Sequence, residues 1–163
     1  MRFKFLSLAA AVLLVSACSS TPETATTAST GGTTAAVPTN TTGPVPGSAE
    51  DFVVNVGDRV FFGFDRYDLT PEATATLDRQ AAWLKQYQNV TITVEGHADE
   101  RGTREYNLAL GERRATAVKN YLVALGVDTA RVQTISYGKE RPAVLGSNEA
   151  AWAQNRRGVT VIN

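Results

Sequence analysis

The residues of this chain that could do chemistry crowd into one short stretch. Gly96-His97-Ala98-Asp99-Glu100-Arg101-Gly102-Thr103-Arg104-Glu105-Tyr106-Asn107 offers an imidazole, three carboxylates and two guanidiniums within twelve positions. Catalysis needs more than this. His97 is the only histidine and Cys18 the only cysteine, so neither a nucleophile–base–acid triad nor a Cys/His metal cage can be assembled. Asp99 and Glu100 could be imagined as a carboxylate pair cleaving a glycoside, but adjacent residues in a turn seldom face one substrate together. His97 therefore reads as a hydrogen-bonding loop residue, at most a lining of a pocket. The expectation is a binding protein, not an enzyme, with no metal.

A second charged residue stands out by position. At 100° per residue from Leu108, the side chains of Leu110, Tyr121, Leu125, Val118, Leu122 and Ala115 fill an arc from about 200° to 340°, and Arg114 falls at about 240°, inside it. Arg113 falls at about 140° on the polar side. A guanidinium on a buried face needs an anionic or polar partner, and Asp99 in the preceding loop is the nearest sensible acid. Three readings stay open from the residues alone: an Asp99–Arg114 ion pair with no ligand, an Arg114 that snorkels to solvent along its stem, and a pair that together grips a ligand.

The elements that must hold these groups are legible in outline. Val53–Phe62 is rich in Val and Phe and predicts a first strand. Thr70-Pro71-Glu72 opens a helix with an N-cap hydroxyl, a proline suited to the first turn and an acid at the positive helix end. Its apolar face is Ala73, Leu77, Ala81, Leu84 and Tyr87. Strands are expected at Val90–Glu95, Arg131–Tyr137 and Gly158–Ile162, a second helix over Arg104–Leu125 closed by Gly126, and a short helical turn over Glu149–Gln154. This βαβα-ββ order predicts an α+β two-layer sandwich with helices on one face of a mixed sheet.

Upstream lies a different kind of sequence. Met1-Arg2-Phe3-Lys4 is a positive start, Phe5–Val15 an apolar run too short to span a bilayer, which needs about 20 residues, and Ser16-Ala17 a small pair before Cys18. Residues 1–17 read as a signal peptide. Residues 18–47 follow the cut as a linker: of the 29 residues from Ser19 to Gly47, 21 are Thr, Ser, Pro or Gly, with too little apolar surface to offset the entropy of folding. Such a tether reaches roughly 30 Å as a coil and about 90 Å fully extended. The folded domain is expected over 48–163. The chain's 16 Lys+Arg balance its 16 Asp+Glu; with Arg2, Lys4 and Glu23 set aside, the domain holds 14 against 15. That balance leaves no basic footprint for nucleic acid or anionic lipid.

Two resemblances sharpen the reading. Val15-Ser16-Ala17-Cys18 resembles the lipobox of bacterial lipoproteins, which implies S-diacylglycerol and N-acyl lipid on Cys18, and Ser19 after it implies sorting to the outer membrane. Gly96-His97-Ala98-Asp99-Glu100-Arg101-Gly102-Thr103, Glu105-Tyr106-Asn107, Gly111-Glu112-Arg113-Arg114-Ala115, Ser136-Tyr137-Gly138-Lys139-Glu140-Arg141-Pro142 and Asn155-Arg156-Arg157 resemble the peptidoglycan-associated lipoproteins of Gram-negative bacteria, whose periplasmic part is an OmpA-like domain. That resemblance, over Phe52–Val161, implies binding to the diaminopimelate-bearing stem peptide of the cell wall. It assigns Asp99 to the ligand's ammonium, Arg114 to its carboxylate, Phe64 and Asp65 to further pocket contacts and Leu110 to an apolar wall. It also implies partnership with TolB and other Tol proteins, with TolB and the wall competing for neighbouring loops, and a place at the outer membrane facing the periplasm. Arg104, where many relatives have Pro, Ser147-Asn148, where His-Asp is common, and Trp152, where Tyr is common, depart from the pattern away from the proposed ligand pair.

Overall fold

The computed structural model describes residues 43–163; Cys18, the signal segment and most of the linker lie outside the described residues. Helix α1 (Ala49–Asp51) runs straight into a single π turn (Phe52–Val56). Strand β1 (Arg59–Phe61), helix α2 (Pro71–Gln86), strand β2 (Ile92–His97) and helix α3 (Arg104–Ala124) follow. A 3-10 turn (Thr129–Arg131) then leads to β3 (Val132–Gly138), α4 (Glu149–Asn155) and β4 (Arg157–Ile162). The sheet order is β1-β4-β2-β3, with β4 antiparallel to both neighbours and β2 parallel to β3. The fold is the expected α+β arrangement on a mixed sheet.

One expectation fails. Most of Val53–Phe62 is not strand, and only Arg59–Phe61 pairs with β4. Local hydrogen bonding overrides the β-branched composition: Ser48 Oγ caps the Asp51 amide, and the Asp51 carboxylate accepts from Gly47 N, Asn55 Nδ2 and, at 2.8 Å, the buried Trp83 indole. Strand propensity yields readily to such context. Val53 and Val54, the residues that suggested a strand, point outward, 49% and 68% exposed. Gly47, assigned by sequence to the tether, already bonds into the domain through Asp51.

Alternation sorts the strands into two faces. Val60, Ile92, Val94 and Val132 turn toward α2 and α3 and are buried with Phe52, Phe62, Leu77, Leu84, Val118 and Leu122. At one end of that face the apolar row gives way to Gly158, Gly96 and Ser136 across β4, β2 and β3. Helix α3 crosses there through Gly111, so closely that a Cβ on Gly96 would lie 1.8 Å from the Gly111 carbonyl oxygen. Because β1, β2 and β3 run the same way, the loops that leave them emerge together at this end. So do the N-terminus of α3 and the start of β4.

Candidate binding site

Three segments meet at that end: the turn after β1, the loop from β2 into α3, and the first three turns of α3. They enclose a pocket of about 210 Å³ lined by Phe64, Asp65, Asp99, Arg101, Gly102, Tyr106, Asn107, Leu110 and Arg114. All five residues singled out from the sequence are brought to one cavity.

Local chemistry fixes the loop. Thr103 Oγ1 caps α3 at Tyr106 N, Gly102 takes φ 87° as glycine readily does, and Asn107 Nδ2 donates to the carbonyls of Arg101 and Thr103. Lys139, from the loop after β3, donates to the carbonyls of Glu100 and Gly102, and the Trp152 indole donates to Glu100 Oε1 at 3.0 Å. On the opposite wall Asp65 sits at φ 55°, a left-handed conformation that Asp tolerates better than most residues, and accepts from the Tyr106 hydroxyl.

Arg114 is fully buried, 0% exposed, which rules out snorkelling. Its partners are main-chain carbonyls: Nε donates to Arg66 O at 2.8 Å, Nη1 to His97 O at 2.7 Å and Nη2 to Gly63 O at 3.1 Å. The Asp99–Arg114 ion pair that the sequence suggested is not made among the described residues. Of the five guanidinium donors, three are satisfied by neutral acceptors, so the positive charge is held in place without being cancelled by a bonded carboxylate. Burial pulls the Arg114 guanidinium down to about 10, with Asp99 pulling it back up; it remains protonated at neutral pH.

Asp99 instead belongs to two other arginines. Oδ1 accepts from Arg101 N at 3.1 Å and Arg101 Nε at 3.2 Å; Oδ2 accepts from Arg101 Nη2 at 2.6 Å and Arg156 Nη1 at 3.4 Å. Burial alone would raise this carboxyl, but the Arg101 side chain and amide, helped by Arg156, outweigh it and hold it below the usual range. Arg156 is itself buried and tied to Phe62 O and Glu149. The Arg101 guanidinium lies 4.0 Å from the ring of Phe64 and 4.0 Å from that of Trp152, two cation–π contacts.

His97 does not line the pocket, contrary to the suggestion from sequence. As the last residue of β2 it points to the other face of the sheet, beside Tyr137, and neither ring nitrogen has a hydrogen-bond partner among the described residues. Burial, then Arg157 and Arg141, lower it to about 4, so its contact with Glu95 at 3.4 Å is not an ion pair at neutral pH. Its contribution to the site is a main-chain carbonyl. Arg101, Tyr106, Asn107 and Arg156 were not identified from the sequence as site residues. Their only signal was membership of the long motifs, since no periodicity marks a loop arginine. Among the described residues no group of three or more His, Cys, Asp or Glu is placed to hold a metal.

Residues 61–156 match the model of the OmpA family. The chain belongs to the OmpA family. Within it, the chain is 61% identical over 117 residues to a peptidoglycan-associated lipoprotein of Rhizobium meliloti, covering 72% of this chain and 66% of that protein. It is 57% identical over 118 residues to the protein of that name in Brucella melitensis, covering 72% and 70%. The matched part is thus about two thirds of these relatives' own length. Among solved OmpA-like structures, the peptidoglycan-associated lipoprotein of Burkholderia pseudomallei superposes with a TM-score of 0.64 at 46% identity, over 65% of this chain and 90% of that one. The pocket lies inside the matched region, from Phe64 in the first loop to Arg114 in α3.

Proposed function

We propose that this OmpA-family chain is an envelope lipoprotein that holds the outer membrane to peptidoglycan by gripping, without cleaving it, the diaminopimelate residue of the stem peptide. One observation carries the reading: a single pocket presents two guanidiniums, Arg101 and Arg114, and two carboxylates, Asp65 and Asp99, between the apolar walls of Phe64 and Leu110. The free end of meso-diaminopimelate carries an ammonium and a carboxylate on one carbon at the tip of an aliphatic chain. Arg114, pre-oriented by three carbonyls, offers its remaining donors to the carboxylate; such charge-assisted contacts are the strong ones. Asp99 and Asp65 are the acids for the ammonium, and Phe64 and Leu110 contact the methylenes. The relatives' name, peptidoglycan-associated lipoprotein, supports the same ligand.

The rest of the chain fits that task. Cys18 carries the lipid that seats the protein in the outer membrane, and residues 18–47 supply the reach to the wall. TolB and other Tol proteins are the proposed protein partners, TolB competing with the wall for the loops around the pocket. Co-sedimentation of the full chain with purified sacculi tests the ligand directly. Sacculi with diaminopimelate in the stem should pull the protein down, whereas sacculi with lysine there, which lack the second carboxylate, should leave it in solution. Equal sedimentation with both would end the proposal. For the anchor, Cys18→Ala should abolish lipid labelling and membrane fractionation; an unchanged label would refute it.

A further inference from the structure

Building on the proposed ligand, the geometry points to a further role for Arg101: it is a resident cation that occupies the ammonium position on Asp99, so that ligand binding is an exchange of one cation for another. A carboxylate has about four lone-pair sites. On Asp99 all four directions are used, by the Arg101 amide and Nε on Oδ1 and by Arg101 Nη2 and Arg156 Nη1 on Oδ2. No acceptor site is left for an incoming ammonium unless a donor departs.

Only one of these donors is free to go. The Arg101 amide is main chain, fixed by the loop. Arg156 is buried and braced by Phe62 O and Glu149. The Arg101 side chain is 31% exposed, lines the pocket, and has Asp99 as its one close ion-pair partner among the described residues. A second acid, Glu149 Oε2, stands 4.0 Å from its Nη2, ready to receive it. Cation–π contacts with Phe64 and Trp152, each at 4.0 Å, help to keep the guanidinium at this post. The pocket is thereby kept electrically closed until a competing cation takes Asp99. Arg101 thus sets the affinity of the site.

The test uses the full chain in mild detergent and a soluble muramyl tripeptide ending in meso-diaminopimelate, with affinity measured by calorimetry and Trp emission followed in parallel. The chain has two tryptophans, of which Trp83 is buried against Asp51, so a pocket-dependent change reports on Trp152. Wild type should bind with a change in emission as Arg101 leaves the Trp152 face. Arg101→Gln should bind about three- to tenfold more tightly, because the fraction of sites already open no longer taxes the affinity, and its emission should not respond. Arg101→Lys keeps a cation without the fork and should fall between the two, and it serves if the Gln variant does not fold. If wild type binds but both variants bind more weakly, Arg101 grips the ligand itself, and if they bind equally to wild type Arg101 takes no part; either result refutes the exchange while the ligand assignment stands. If none of the three binds, the stem-peptide reading falls and the exchange with it.

Discussion

The two ends of the sheet are built on opposite rules. At one end, Ile92, paired with Val132 and Ile162, packs with Leu77, Leu84 and Leu122 in an ordinary apolar core. At the other, four residues along β2, the row is Gly158, Gly96 and Ser136. Beside Phe62 and Val118, which pack on Gly158, the buried side chains there include Arg114 and Arg156, with Asp99 between loops. The first end needs only volume and apolarity, which many residues supply. The second needs named donors meeting named acceptors, and glycines that let a helix come close enough for those meetings. The two ends thus make different demands along a single strand, and substitutions of side chains at the two ends should fail in different ways.

The largest effect should come where the helix crosses the strand. Gly96→Val must displace the backbone of α3 and should cost more than about 5 kcal/mol, most of a small domain's stability; urea denaturation monitored by circular dichroism would show it. Leu122→Ala, at the apolar end, should cost about 2–5 kcal/mol and yet leave sacculus binding of the folded protein intact. Its mirror image is Arg114→Lys, which should fold but lose about ten- to a hundredfold in sacculus binding, since an ammonium cannot hold three carbonyls and a carboxylate in one plane. Binding by Arg114→Lys equal to wild type would erase the division between the ends.

Acid should probe the comparison more gently. The folded protein holds His97 at about 4, against an ordinary value of 6.5, so the unfolded chain binds the extra proton between those values. Stability should be level above pH 6.5 and fall by about 2 kcal/mol from pH 7 to pH 5, and His97→Leu should flatten that slope. Asp99, held below 3.8, gives its contribution above that pH and loses it only in stronger acid, so ligand binding should outlast the first loss of stability. The smallest effect is expected at Arg113. It is exposed, with its guanidinium 5.9 Å from the Tyr67 ring, and Arg113→Ala should change both stability and binding by less than about 0.5 kcal/mol.

What could be read from the chain follows the same division. Helix α2 has its N-cap and apolar stripe in the sequence, α3 its stripe and its glycine stop, and a helical wheel alone marks Arg114 as a charge on a buried face. Its partners could not be read, because they are carbonyls of Gly63, Arg66 and His97, and a main-chain oxygen has no residue type. Asp99 was found, but with the wrong partner: the nearest arginine in sequence, Arg101, and a distant one, Arg156, take it through a turn and a strand start that carry no periodic signal. Val53 and Val54 misled for the converse reason. Composition spoke for a strand, while one serine cap and one aspartate tied to an indole 32 positions away decided otherwise.

The position of β4 also shapes how the domain comes into being. The strand latest in sequence lies inside the sheet, between β1 and β2, so β1 has no neighbour in the sheet until residues 157–162 arrive. Only the parallel β2–β3 pair, with α3 between, can assemble earlier. A chain delivered N-terminus first therefore stays open until β4 is available, and its folding is governed by a long-range closure rather than by local turns, the kind of topology that folds slowly. The pocket inherits this timing, because Arg156, one residue before β4, braces Asp99. A half-emerged chain has no finished site with which to seize a ligand prematurely.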